Sequence, residues 1–299
     1  MGQQRSNSVT IALIVVRFAH FVSAMFLFGT SAFLAFLAPR PLRASLARPL
    51  ERPLILASFI AATTAVLWLL LEGGEMGDGW SDTLNLNVLG AVIRDTQFGQ
   101  VWLWRLLLVA AFAFAMRWRS PRQPAAGAVL SALFLASLGL VGHAAMWRGV
   151  AGLFERANQG LHLVAAGFWL GALAPLVVCL RGLADPDSKE DAALTLRRFS
   201  GVGHVAVAVV LTTGVINTVM ILRQLPIDFS SAYQASLAAK MVTVAIMVLL
   251  ALYNRYVLVP RLAEPGDALA ALERNTIIEM LLGGVALALV SAFATFEPV

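Results

Sequence analysis

The sequence predicts an all-α integral membrane protein, an eight-transmembrane-helix bundle with both termini in the periplasm. Hydrophobic residues make up 59% of the 299-residue chain and charged residues 13%, against about 45–50% and about 25% in an ordinary soluble domain. The mean hydropathy is +0.80, and several apolar runs reach the roughly 20 residues that a helix needs to cross a bilayer. Lipid is therefore the expected solvent for most side chains.

Eight apolar runs, separated by charged or Pro-containing connectors, define the predicted spans. They cover residues 11–37, 53–71, 99–116, 125–145, 157–180, 199–222, 235–259 and 275–296. The first run is too long for a signal peptide and lacks a small-residue cleavage site, so we expect a retained first helix. No connector is long enough for a soluble domain, and residues 1–299 are predicted to form a single polytopic membrane domain. No convincing internal repeat is evident, and whether the two four-helix halves are related stays open.

The distribution of cations predicts the orientation of the bundle. Of the 22 Lys and Arg residues, 14 belong to one side of the predicted bundle and six to the other, while Arg105 and Lys240, inside spans, are assigned to neither. The richer side is expected to be cytoplasmic. Both termini then face the periplasm, together with the acidic loop that follows the second span.

Composition and motifs exclude several classes of protein. The net charge of +5 is explained by membrane topology, so no nucleic-acid partner is expected. A single cysteine, Cys179, leaves neither a disulfide framework nor a CxxC motif. Nucleotide-binding loops and HExxH or GxSxG motifs do not occur, which argues against a nucleotide-driven pump or a familiar hydrolase. The chain is therefore not expected to be an enzyme.

Histidines within the spans are the first candidates for chemistry, because ionisable groups at membrane depth are costly. His20, His143 and His162 fall at one level near the exterior face, whereas His204 lies near the cytoplasmic end of the sixth span. Met146 follows His143 by three residues, which stacks both side chains on one helical face. Imidazole and thioether ligands suit copper, so this set is a candidate copper site.

Other interpretations compete for the same residues. A lone histidine in a membrane is about as often a hydrogen-bonding group between helices as a ligand, and methionine is common core filler. Arg17 and Arg105 are expected to extend towards the membrane surface. Histidines on several spans also permit a b-type haem with His20 and either His143 or His162 as axial ligands, and electron exchange with quinone.

Several segments, taken in order, resemble the CopD/PcoD family of bacterial inner-membrane copper proteins over nearly the whole chain. These segments are Arg17–His20 with Gly29, Thr96–Trp102 leading to Arg105, Gly142–Ala144, Leu161–Gly171, Arg198–Ser200 with Thr213–Gly214, and Lys240 followed by Asn254–Arg255 and Pro260. One position departs from the family pattern. Gln159 stands three residues before His162, where many relatives carry an acidic residue, and this weakens the expected support of the ligand.

The resemblance implies a multi-pass protein of the bacterial inner membrane, embedded in the lipid bilayer, that takes up copper from the periplasm. It also implies a small periplasmic CopC-type protein as copper donor. His20, His143 and His162, with Met146, are then the expected ligands at the exterior face, and His204 is a less favoured inner waypoint. A copper chaperone that passes metal without transport remains an alternative, as does the haem protein, and the oxidation state of the copper stays open.

Overall fold

The computed structural model describes residues 2–117, 120, 122–142, 149–222, 229, 231–262, 267–293 and 295, with side chains from Ser8 onward. Within these residues the chain is helical, with turns and no strand. The helices are α1 Gly2–Ala32, α2 Arg40–Met76, α3 Leu86–Asp95, α4 Gln97–Arg117, α5 Gln123–Ala136, α6 Gly149–Gly171, α7 Leu173–Arg181, α8 Lys189–Leu222, α9 Ala232–Tyr253, α10 Val259–Arg261 and α11 Ala268–Phe293.

Eight helical segments are long and apolar enough to cross a membrane, which confirms the predicted number of spans. They are Ser8–Leu37, Arg40–Met76, Gln97–Arg117, Gln123–Leu140, Gly149–Ala184, Lys189–Leu222, Ala232–Arg261 and Ala268–Phe293. Each overlaps one predicted run, and most extend beyond it because helices continue past the apolar window into polar connectors. The predicted ends at residues 145 and 296 lie outside the described residues.

Helix α3 is the element that apolar length did not predict, because it is short and amphipathic. Asn85 caps its N-terminus by accepting a hydrogen bond from the Asn87 amide at 3.1 Å, as short polar side chains do at this position. Leu89 and Val92 are buried on one face. A Cβ atom on Gly99 of α4 would overlap the Val92 backbone, so the glycine lets α3 lie directly against α4.

The centre of the bundle is a close crossing of α1 and α6. A Cβ on Gly29 would overlap the Gly171 backbone, and one on Gly171 would overlap the Met25 carbonyl and lie 3.1 Å from Gly29 Cα. Two glycines at one crossing let helix backbones approach to contact. The crossing sets the relative position of the two histidines that α1 and α6 carry.

Two spans contain π-helical segments near the same end of the bundle. The first span continues from α1 through Phe33–Leu37, and the seventh continues from α9 through Asn254–Leu258 into α10. Pro260 lies just beyond the second segment and has no N–H with which to continue the regular hydrogen-bond ladder. The wider turn at Asn254–Leu258 brings Asn254 into the protein interior, where it is buried.

Candidate metal site

His20 is fully buried on α1 and surrounded by aromatic rings from α2, α4 and α5. The centroid of its ring lies 5.5 Å from that of Trp68, 6.1 Å from that of Trp102 and 5.2 Å from that of Phe134. Trp102 is also fully buried, and its indole donates to the Ala65 carbonyl at 2.7 Å. His20 therefore occupies an aromatic pocket within the first half of the chain.

Both ring nitrogens of His20 are in hydrogen bonds. Nδ1 lies 2.9 Å from Thr64 Oγ1, and this hydroxyl donates its own proton to the Ile60 carbonyl at 2.6 Å. Since a hydroxyl has one proton, Oγ1 accepts from Nδ1, which fixes the tautomer with the ring proton on Nδ1. The lone pair on Nε2 is then occupied by Arg105, whose Nη2 lies 2.5 Å away.

Arg105 does not extend to the membrane surface, and the sequence prediction for it was wrong. The side chain is fully buried, and Nη1 donates to the Phe134 carbonyl and to Ser137 Oγ, both at 2.7 Å. Its guanidinium lies 4.8 Å from the ring centroid of Trp102 and 4.4 Å from that of Phe134. Oxygen acceptors, aromatic faces and the His20 lone pair together hold this cation inside the bundle.

Arg17, the second arginine expected to extend outward, instead pairs with α2 at partial burial. Its Nη2 lies 3.8 Å from Glu72 Oε2, and its guanidinium stands 5.0 Å from the Trp68 ring centroid. The Trp68 indole donates to the same carboxylate at 3.2 Å. The pair connects α1 to α2 about one helical turn from His20.

His162 lies half-buried on α6 and faces α8. Its Nδ1 is 2.9 Å from Thr213 Oγ1, while the Thr213 hydroxyl donates to the Val209 carbonyl at 2.5 Å. The same proton count places the His162 ring proton on Nδ1. Within the described part of the chain Nε2 has no hydrogen-bond partner, so its lone pair is available to a metal ion.

A polar network between α6 and α8 surrounds the His162–Thr213 pair. Asn158 Nδ2 donates to the Thr213 carbonyl at 3.1 Å and to Asn217 Oδ1 at 2.5 Å. Asn217 Nδ2 donates in turn to Gln159 Oε1 at 2.6 Å. Gln159 therefore supports the network as an amide acceptor, in the position where the family pattern calls for a carboxylate.

A carboxylate does occupy the same face of α6, at Glu155. Seven residues separate it from His162, which returns a helix to nearly the same direction about 10 Å away along its axis. The side chain is 1% exposed, and Oε2 has no hydrogen-bond partner among the described residues. The sequence prediction did not single out Glu155, because the predicted fifth span begins at residue 157 and leaves this carboxylate in a connector.

The remaining predicted ligands divide into two groups. His143 and Met146 lie outside the described residues. His204 is on α8, where Nδ1 lies 2.7 Å from the Ser200 carbonyl and Nε2 lies 3.4 Å from Tyr256 Oη. No three His, Cys, Asp or Glu side chains among the described residues are grouped closely enough to hold a metal ion. His20, His162 and His204 form hydrogen bonds with different neighbours.

His204 lines a cavity of about 290 Å³ between α8, α9 and α11. The cavity is mainly apolar, but Glu279, Asn254 and Arg255 also face it. Glu279 is 4% exposed and accepts a hydrogen bond from Asn254 Nδ2 at 3.2 Å. This buried carboxylate was not singled out from the sequence, although a Glu inside an apolar run was a visible signal.

Comparison with known proteins agrees with this architecture. Residues 8–153 match the family described as copper resistance protein D-like, N-terminal domain, and residues 193–293 match copper resistance protein D. The chain is 35% identical over 286 residues to inner membrane protein YebZ of Escherichia coli (strain K12), covering 95% of this chain and 98% of that protein. No solved structure matches the chain.

Two further relatives carry copper in their names. Copper resistance protein D of Pseudomonas syringae pv. tomato is 30% identical over 299 residues, covering 95% of this chain and 96% of that protein. Copper transport protein CutJ of Bacillus subtilis (strain 168) is 28% identical over 207 residues, which are 62% of this chain and 36% of that protein. With matches of this extent, the chain belongs to the copper resistance protein D family.

Proposed function

We propose that the chain is a copper-binding protein of the inner membrane that accepts copper at its periplasmic face and imports it into the cytoplasm. The observation that carries the proposal is the open Nε2 of His162. A proton on Nδ1, held by Thr213 at 2.9 Å, directs the other nitrogen's lone pair to a metal, as partners of ligating histidines do elsewhere. Family membership supplies copper as the metal.

The proposed ligands are His162, His143 and Met146. Imidazole suits copper in both oxidation states and thioether favours Cu(I), so this set is best suited to Cu(I). His20 is not included, because Arg105 and Thr64 occupy both of its ring nitrogens. His204 is a proposed inner waypoint, supported by its place on the cavity between α8, α9 and α11.

The proposed orientation places both termini in the periplasm and treats the chain as one membrane domain. It follows from the cation count of the connectors. Copper then enters at the level of His162 and leaves beyond His204, towards the arginine-rich cytoplasmic side. The family resemblance further suggests a CopC-type periplasmic protein as the donor.

Haem binding receives less support than copper binding. Both candidate axial pairs use His20, and an iron ligand needs the imidazole lone pair that Arg105 occupies. A copper-uptake assay distinguishes an importer from a chaperone that binds copper without transporting it. Purified protein reconstituted into vesicles would accumulate copper in the lumen as an importer, whereas a chaperone would retain only its bound equivalent.

Copper loading of the detergent-purified chain tests the binding step. After washing, the wild type is expected to retain copper near one equivalent, and a variant with His143→Ala and His162→Ala is expected to retain almost none. Ser236→Ala, at a half-buried site whose hydroxyl donates to the Ala232 carbonyl, serves as the control. Full copper retention by the double variant would exclude the proposed ligands.

A further inference from the structure

The first and fifth spans repeat one sequence pattern. Residues 20–29 read HFVSAMFLFG and residues 162–171 read HLVAAGFWLG, with five of the ten positions identical. The identical pairs are His20 and His162, Val22 and Val164, Ala24 and Ala166, Phe26 and Phe168, and Gly29 and Gly171. Each segment lies in the first span of its four-span half.

The structure places the equivalent glycines against each other. A Cβ on Gly29 would overlap Gly171, and a Cβ on Gly171 would come within 3.1 Å of Gly29 Cα. Mutual contact between equivalent positions is the mark of a two-fold relationship. Because each half has four spans, the two halves enter the membrane in the same direction, and their axis lies along the membrane normal.

The second and sixth spans also correspond at the residues that hold the histidines. Thr63-Thr64 and Thr212-Thr213 are equivalent threonine pairs, and the second member of each lies 2.9 Å from the Nδ1 of its histidine. In each half, the threonine hydroxyl also lies close to the backbone carbonyl three residues before it, Ala61 at 3.2 Å in one and Val210 at 3.3 Å in the other. The hydrogen bond that orients the imidazole thus recurs in both halves.

The third and seventh spans each supply a cation at the same register. Arg105 and Lys240 both stand nine residues after a hydroxyl that caps their helix. Thr96 Oγ1 accepts from the Gly99 amide at 3.0 Å, and Ser231 Oγ accepts from the Gln234 amide at 3.4 Å.

Each cation also faces a phenyl ring of the last span in its half. The Arg105 guanidinium lies 4.4 Å from the Phe134 centroid, and Lys240 Nζ lies 6.0 Å from the Phe293 centroid. Histidine, threonine, cation and phenyl ring therefore recur together, one from each successive span.

The two copies differ in what the cation does. Arg105 reaches the Nε2 of His20 at 2.5 Å and is anchored there by the Phe134 carbonyl and Ser137. Lys240, the equivalent cation, makes no hydrogen bond to His162, whose described hydrogen bond is to Thr213. A guanidinium presents five donors in a fixed fork and no acceptor, so it uses the lone pair on which a metal would otherwise bind.

We propose that the chain is an internal duplication in which each half builds the same imidazole site, and that Arg105 holds the first copy closed to metal. The metal part of this inference rests on the proposed copper binding at His162. In the first copy the imidazole lone pair is then filled by a resident cation, and the chain takes its copper at His162 alone.

Copper stoichiometry separates the open copy from the closed one. His20→Ala is expected to retain the wild-type single equivalent, whereas His162→Ala loses it. Arg105→Gln is expected to keep that single equivalent, because copper binds in the second copy and His20 alone offers only one ligand. Arg94→Gln, which removes an exposed arginine that bonds only the Gly90 carbonyl, is the matched control.

Two results would overturn the proposal. One is loss of copper in His20→Ala, which needs no arginine variant and so stands even where Arg105→Gln fails to fold. The other is a folded Arg105→Gln protein that loses its copper. Wild-type protein without copper would instead contradict the proposed function.

Melting temperatures of metal-free variants test the pairing of Arg105 with His20. The decreases in melting temperature caused by Arg105→Gln and by His20→Ala are expected to be non-additive, because the two residues share a hydrogen bond. Losses from Lys240→Gln and His162→Ala are expected to be nearly additive. Additive losses for the first pair would contradict the closed copy, whatever the copper results.

Discussion

His162 donates a hydrogen bond from Nδ1 to Thr213 Oγ1 at 2.9 Å, between α6 and α8. The Thr213 hydroxyl donates its proton to the Val209 carbonyl. The contact between His162 and Thr213 therefore fixes both the tautomer and the direction of the imidazole ring. The remaining lone pair, on Nε2, is available to bind a metal ion. The proposed copper binding at this site would therefore depend on a threonine that is not itself a ligand.

Thr213→Val tests this dependence with little change in shape. Without Oγ1 the ring loses its tautomer preference and its orientation, and we expect copper affinity to fall by roughly 10–100-fold, as for other supporting partners of ligating histidines. Competition with a chelator of known affinity measures the change. Thr195→Val, on the same helix, is the control. Because Thr195 Oγ1 donates to the Asp191 carbonyl within α8, this change should leave copper affinity unchanged. Equal affinity in Thr213→Val would show that the hydrogen bond does not support the ligand.

Gly171→Ala is expected to disrupt the crossing of α1 and α6. The added Cβ would overlap the Met25 carbonyl, and backbone cannot move aside as a flexible side chain can, so the loss should be about 1–3 kcal/mol or more. Thermal unfolding in detergent measures it. Gly201→Ala, where a Cβ meets no atom within 4 Å, is the control and should melt at or above the wild-type temperature. Wild-type melting of Gly171→Ala would refute the close crossing.

His204→Ala is expected to leave copper binding unchanged but to slow copper uptake into vesicles. The reason is position, since His204 lines the cavity between α8, α9 and α11 and its recorded neighbours differ from those of His162. Val205→Ala, at a neighbouring side chain that is 64% exposed, is the control for uptake. Unchanged uptake by His204→Ala would remove it from the proposed route.

Glu279→Leu should destabilise the chain more than Glu279→Gln. Leucine leaves the Asn254 amide, now 3.2 Å from the carboxylate, without its acceptor in the interior, whereas glutamine keeps an oxygen there. Interhelical hydrogen bonds of this kind contribute about 0.6–2 kcal/mol in membrane proteins. Melting temperatures of the two variants decide it, and an equal or higher value for the leucine variant would contradict the role of Glu279 as a buried acceptor.

Acid should loosen the turn that leads to α3, because Asp82 is most effective as a carboxylate. Its Oδ2 accepts from the Asp78 amide at 2.7 Å and its Oδ1 from Asn85 Nδ2 at 3.0 Å. These bonds hold the pKa of Asp82 below its ordinary value of 3.8. A lowered pKa gives stabilisation that is complete above the unfolded value and is lost as the pH falls through the folded value.

The protection factor of the Asp78 amide in hydrogen exchange reports this turn. It should be constant from pH 7 to pH 5 and fall below about pH 4 in the wild type. Asp82→Ala should show low protection throughout, and Asp95→Ala should follow the wild type. A wild-type protection factor that stays constant down to pH 2 would contradict the assignment.

The spans were predictable because transfer of apolar side chains into lipid depends on composition over about 20 residues, not on tertiary contacts. Rotation of each helix was not predictable, since packing against neighbours sets it. The predicted depth placed His20 and His162 in one group. Helix packing then put Arg105 on the Nε2 of His20, whereas the Nε2 of His162 has no hydrogen-bond partner among the described residues. Arg105 illustrates the same limit. Its position inside a span was visible, whereas the carbonyl, hydroxyl and rings that hold it come from α4, from α5 and from Ser137 directly after α5.

Helix α3 and the repeated halves escaped detection for different physical reasons. The ten residues of α3 bury only Leu89 and Val92 on one face, and so short an amphipathic helix gives little hydropathy signal. The repeat is carried by a few positions in each span, with loops of different length between them. The contacts of His20 with Thr64 and of His162 with Thr213 show which threonines of the second and sixth spans correspond.

The most direct test of copper binding at His162 is metal analysis and an absorption spectrum of the copper-loaded, washed protein, beside His162→Ala. The account predicts close to one copper per wild-type chain, almost none in the variant, and no haem absorbance in either. Copper retained in full by folded His162→Ala protein, or a haem Soret band without copper in the wild type, would contradict it.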